Sequence, residues 1–190
     1  MKDRTYYKKF EESLVEELLS TCDSYPKPVE AEAPFIITVD EINEVWDRVA
    51  PEYMVDAVRN VNQYPKYTFA VPGFFGLALA KLWDECWADN SAITYAELCG
   101  PEMFDNADEY ILQHFLDRQL NTEESEKLSD QMRTFAQHAM DKIRHEDIEP
   151  QTTQAYYVLA HSARAVFRAS VALELSKKGY KYQKEERYFS

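Results

Sequence analysis

An all-α fold is what this sequence predicts: a single-domain bundle of six or seven helices with a long, largely buried C-terminal helix. Three observations lead there. The stretch over residues 155–175, AYYVLAHSARAVFRASVALEL, is apolar nearly all the way round, the pattern of a helix with neighbours on most of its faces. Only 4 of the 190 residues are glycine, whereas sheet proteins draw on glycine for the positive-φ positions of their many tight turns. Apolar residues recur at helical spacing in one segment after another. A 45% apolar and 14% aromatic composition supplies a packed core without help from metals or disulfides.

The first helix is expected over residues 3–22, with Tyr7, Phe10, Leu14, Leu18 and Cys22 on its inner stripe and Glu11, Glu12, Glu16 and Glu17 largely outside it. A proline-punctuated connector near 24–37 follows, the best candidate for a flexible joint. It closes on Phe35-Ile36-Ile37, read as an extended segment laid across the bundle. Thr38 and Glu41 have capping-box spacing and open a second helix through Ile42, Val45, Trp46 and Val49. Pro51 is placed as the first residue of a third, where its missing N–H costs nothing, with Met54, Ala57, Val58 and Val61 inward. A fourth helix is expected over 72–88, its stripe formed by Phe75, Leu79, Leu82, Trp83 and Cys86.

Thr94 and Glu97 repeat the capping-box spacing at a short helical turn, and Gly100-Pro101 separates it from a helix over 101–119 carrying Phe104, Ala107, Ile111, Phe115 and Leu116 inward. Residues 122–145 place Leu128, Met132, Phe135, Ala139 and Ile143 at helical spacing. The last helix enters after Pro150 and runs to about residue 178, with Gly179 as its stop. The helical domain thus spans 1–178, and a basic, aromatic tail spans 179–190.

The net charge is −13, unevenly placed: residues 1–10 and 177–190 each carry +3, which leaves −19 for the body between them. Binding to double-stranded nucleic acid is disfavoured, because phosphate affinity comes from Lys and Arg. Cys22, Cys86 and Cys99 form no C-x-x-C pair and are expected to be small buried hydrophobes in a reducing compartment. The N-terminus lacks the apolar core of a secretory signal. The longest apolar run, residues 69–83, is interrupted by Pro72 and Lys81 and is too short to span a bilayer. A cytoplasmic location away from membranes is therefore the expectation.

One constellation invites chemistry. On the last helix Tyr157, His161, Arg164 and Arg168 fall at i, i+4, i+7 and i+11, one continuous stripe. Guanidinium forks at that spacing suit a carboxylate or phosphate, and an adjacent imidazole could move a proton. These four residues are the candidate ligand-binding set. Two structural alternatives compete: pairing with carboxylates of neighbouring helices, Asp84, Glu85 and Glu97 being the partners considered, or simple exposure at the rim of the bundle.

No metal, cofactor or catalytic residue is assigned. Glu-x-x-His pairs and H-E-x-x-H are absent, although bundle di-metal and zincin sites require them. His138 with Asp141, or Asp141 with His145, offers only two ligands on one face, and His114 is read as a packing residue. Gly73-Phe-Phe-Gly76 lacks the lysine and spacing of a phosphate loop, and no G-x-S-x-G elbow occurs. The reading leans towards a non-enzymatic protein acting through protein–protein contacts or self-association. Its acidic body, or the aromatic and cationic C-terminal segment, would mediate them; folding of that segment back over its own acidic helices is the rival. The alternatives are a small anionic-ligand binder or enzyme using the His/Arg stripe, and an acidic inhibitor of a basic protein.

Overall fold

The structure, a computed structural model, describes residues 2–22 and 39–180. Seven α-helices form there: α1 (Arg4–Ser20), α2 (Asp40–Asn60), α3 (Pro65–Asn90), α4 (Tyr95–Cys99), α5 (Ala107–His114), α6 (Glu123–Arg144) and α7 (Thr153–Lys177). No strand occurs among the described residues. The anticipated connector over 24–37, Thr38 and residues 181–190 lie outside the described residues.

The central pair is α7 packed along α3, with α1 against α7 and α6 against α3. Local chemistry starts each helix. Asp3 accepts from the Tyr6 N–H at 2.8 Å, Thr94 and Glu97 form a reciprocal capping box, Thr122 does the same with Ser125, and Thr152 caps α7. The inner stripes of α1 and α6 come out as their spacing predicts, apart from Leu128 and Ile143, which are only partly buried. In α7 the buried set runs from Val158 to Leu175.

Both internal prolines correct the expected boundaries. Residues 40–60 are one helix with Pro51 inside it, not two. Its buried residues Ile42, Val45, Trp46, Val49, Tyr53, Met54 and Ala57 keep a single apolar face across the proline. Packing of that face outweighs the roughly 3 kcal/mol that an interior proline costs. The inner face is accordingly rotated from the expected one: Tyr53 is buried and Val58 is 48% exposed. The residue preceding α2 is Val39, which makes no side-chain capping bond.

Likewise α3 begins at Pro65, in the position where proline is tolerated, and passes through Pro72. Pro72 has no N–H for the Thr68 carbonyl four residues back. The buried Tyr53 hydroxyl donates to that carbonyl instead, at 2.9 Å. The helix expected over 101–119 shortens to a 3-10 turn over Met103–Asn106 followed by α5, because backbone at Met103 and Asp117 takes positive φ.

Two glycines let α3 and α7 approach. A Cβ on Gly76 would lie 2.5 Å from the Phe167 carbonyl oxygen and 3.0 Å from Ser170 Cβ. Gly73 faces the Met132 and Ser170 side chains. The G-x-x-G spacing that fails as a phosphate loop is thus a packing device between helices.

Cys86 also departs from expectation. Cys22 and Cys99 are buried, but Cys86 is exposed, at a kink in α3 where its backbone leaves helical geometry (φ −156°, ψ 46°). Burial pushes the Cys99 thiol up to about 12. Among the described residues no helix is long and apolar enough to cross a membrane.

Candidate functional site

The stripe on α7 meets α1 through one carboxylate. Tyr7, Phe10, Leu14 and Leu18 set the inner face of α1, and Glu11 falls within the same arc, four residues after Tyr7 and three before Leu14. Packing of that face carries Glu11 under α7, where it is only 5% exposed. His161 Nδ1 lies 2.7 Å from Glu11 Oε2, and Arg168 donates to Glu11 Oε1 at 2.7 Å. Burial alone would push the Glu11 carboxyl up. The hydrogen bond from His161 and the charges of Arg168 and Arg164 outweigh burial and hold it below the ordinary glutamate value. An ionised carboxylate only accepts, so His161 carries its proton on Nδ1. The Tyr7 ring lies parallel to the imidazole, centroids 5.4 Å apart and planes within 7°, which fixes its orientation.

Arg164 is held differently. Its Nε is 3.7 Å from Glu11 Oε1 and a terminal nitrogen is 3.9 Å from Asp47 Oδ1. Both distances are within Coulombic reach and beyond hydrogen-bond reach. The Nε–H is buried without a hydrogen-bond partner among the described residues, while the side chain as a whole stays 37% exposed, against 11% for Arg168. One carboxylate thus serves two guanidinium groups and satisfies one of them well.

These groups lie in a cleft of ≈ 770 Å³ between α1, α2 and α7. Glu11, His161, Arg164 and Arg168 line it from α1 and α7; Arg4 and Lys8 come from the first two turns of α1, and Asp40, Glu44 and Asp47 from α2. Asp40, Glu44 and Asp47 stand at i, i+4 and i+7, as do Arg4, Lys8 and Glu11, so each helix turns one stripe to the cleft.

The structure therefore gathers His161, Arg164 and Arg168 but not Tyr157. Tyr157 is 42% exposed, and its ring packs near Tyr7 at 5.3 Å and Tyr156 at 6.0 Å between centroids. The carboxylates considered as partners are engaged elsewhere. Asp84 takes Lys178 and the Tyr180 hydroxyl, Glu85 faces Lys81 and Lys178, and Glu97 caps α4. Glu11 and Asp47 replace them. Glu11, expected largely outside the inner stripe of α1, is buried within it, because it stands four residues after Tyr7 and three before Leu14; the relevance of Asp47 depends on how α2 lies against α7.

His114 is exposed and lies tilted against the Tyr110 ring, centroids 4.3 Å apart. Asp141 is bound to Arg144 and Gln137, and no group of three His, Cys, Asp or Glu side chains suited to a metal occurs among the described residues. Compared with protein-family models, with curated proteins and with solved structures, the chain matches none.

Proposed function

We propose that this chain is a binding protein whose α1–α2–α7 cleft accepts an anionic group, a carboxylate or phosphate, on Arg164. The observation carrying this reading is the Arg164 guanidinium: flanked by two carboxylates, hydrogen-bonded to neither, and with a buried Nε–H left without an acceptor. An unsatisfied buried donor costs about 1–3 kcal/mol, so the guanidinium, 37% exposed as a side chain, gains by turning towards an anion in the cleft. Glu11 and Arg168 act as scaffold beneath it, and His161, tied to Glu11 through Nδ1, adds a donor or acceptor at Nε2.

Thermal melting of the full chain tests this against phosphate and citrate series, with sodium chloride at matched ionic strength. A specific ligand raises the melting temperature by mass action, and Arg164→Gln removes the rise. Equal shifts in wild type and Arg164→Gln, or no shift, would overturn the reading.

Protein–protein contact remains the second reading, favoured by the acidic α2 stripe and the net charge of −13. The start of the basic tail argues for the intramolecular alternative at that end, since Lys178 and Tyr180 fold onto Asp84 and the Tyr180 ring packs on Trp83 at 5.4 Å. A cationic partner would then meet the acidic helices themselves, with capture that weakens as salt rises.

A further inference from the structure

The anion reading leaves half of the cleft unexplained. Opposite the cationic groups, α2 presents Asp40, Glu44 and Asp47, all exposed. Among the described residues, neither Asp40 nor Glu44 forms an ion pair, and Arg4 on the facing helix forms none. An acidic stripe on α2 thus faces the cations of α1 and α7 across a water-accessible gap, bridged among the described residues by Arg164 and Asp47 at 3.9 Å. The acidic stripe runs about 10 Å along its helix, from seven residues at 1.5 Å each.

A bare anion fits this arrangement poorly. It is drawn to Arg164 and repelled by three carboxylates on α2, inside a chain of net charge −13. It would also fill a small part of ≈ 770 Å³, a volume within the range of about 300–1,000 Å³ typical of sites for larger organic ligands. A molecule with an anionic end and a cationic end a few bonds apart meets both walls favourably, and its cation offsets the repulsion felt by its anion.

We propose that the cleft takes a dipolar ligand of the basic amino-acid class, its carboxylate on Arg164 and its guanidinium or ammonium against Glu44 and Asp47. The inference rests on the anion reading above and adds the cationic pole. Two sources share this chemistry: a free basic amino acid, and the C-terminal basic residue of a peptide.

Calorimetric titration of the full chain separates the possibilities with four probes. L-arginine and Nα-acetyl-arginine carry both poles and stand for the two sources. Nα-acetyl-norleucine keeps the carboxylate without the cation, and Nα-acetyl-argininamide keeps the cation without the carboxylate. At least one of the first two is expected to bind tenfold or more tighter than either single-pole probe. Asp47→Asn and Glu44→Gln, both at exposed positions, should weaken that ligand until it binds no tighter than Nα-acetyl-norleucine, whose own affinity, relieved of their repulsion, should hold or rise. Arg164→Gln should abolish both. Equal binding of Nα-acetyl-norleucine and the arginine probes, with dependence on Arg164, overturns the dipolar ligand and leaves the anion site standing. Binding of none of the carboxylates, with unaltered melting in phosphate and citrate, overturns both.

Discussion

Arg164 and Arg168 are one helical turn apart on the same stripe, yet the structure makes them unequal. Arg168 is nearly buried and hydrogen-bonded to Glu11, so Arg168→Ala takes the hydrogen-bonded cation from a buried carboxylate and leaves it His161 and the more distant Arg164. It should cost about 3–5 kcal/mol in urea denaturation, and Glu11→Ala a similar amount by stranding the cations. Arg164 is more exposed and makes no hydrogen bond to either carboxylate, and Arg164→Ala should change stability by less than about 1 kcal/mol. Equal losses at the two arginines would assign both to scaffolding. Tyr53 gives a second contrast. Its hydroxyl satisfies the carbonyl that Pro72 releases, so Tyr53→Phe should destabilise by about 1–3 kcal/mol. In a Tyr53→Phe, Pro72→Ala double variant the new backbone N–H can take over that carbonyl, and the loss should shrink, as a double-mutant cycle reads directly.

At the level of the element, the α3–α7 contact sets how closely the two central helices approach. Gly76 faces backbone of α7, which cannot yield without moving the helix, whereas Gly73 faces the end of the flexible Met132 side chain. Gly76→Ala should therefore lower stability by about 1–3 kcal/mol through overpacking. Gly73→Ala should cost less, because Met132 can turn aside and alanine improves helix propensity. Thermal melting of the two single variants checks the order. The same principle explains why Pro51 fails to break α2: seven buried side chains on one face hold the helix together across it. Helix caps, by contrast, need only residues three apart, and Thr94–Glu97 appears where the spacing places it.

The whole molecule joins its charge pattern to its acid stability. The folded-state pKa of Glu11 lies below its ordinary value of 4.5, so its contribution to stability is fully present above that value. It is lost as pH falls from there through the lower folded value. Denaturant midpoints between about pH 6 and pH 3 should fall steeply, and Glu11→Gln, already destabilised, should show a shallower acid limb. An identical acid limb in both proteins would mean that other carboxylates govern it. Glu146 acts in the same direction: burial pushes its carboxyl up, but its bonds to Lys2 and Tyr6 hold it below the ordinary value.

Local periodicity and capping spacing, read from the sequence alone, determined the helical class, the inner faces of α1, α6 and α7, the cap at Thr94 and the stripe of His161, Arg164 and Arg168. Those features depend on residues within a turn or two of one another, so the chain carries them without reference to the rest of the fold. The tertiary structure decided which carboxylate meets the stripe, that Tyr157 stands apart from it, that Pro51 and Pro72 lie inside helices, and that Cys86 is exposed. The carboxylate and the carbonyl released by Pro72 turn on neighbours outside their own helix. Glu11 is 150 residues from His161; the Tyr53 hydroxyl reaches forward across a loop to Thr68. The energy of such contacts is realised only once helices pack, which is why helical spacing marks a face as charged or apolar but does not name what it will face.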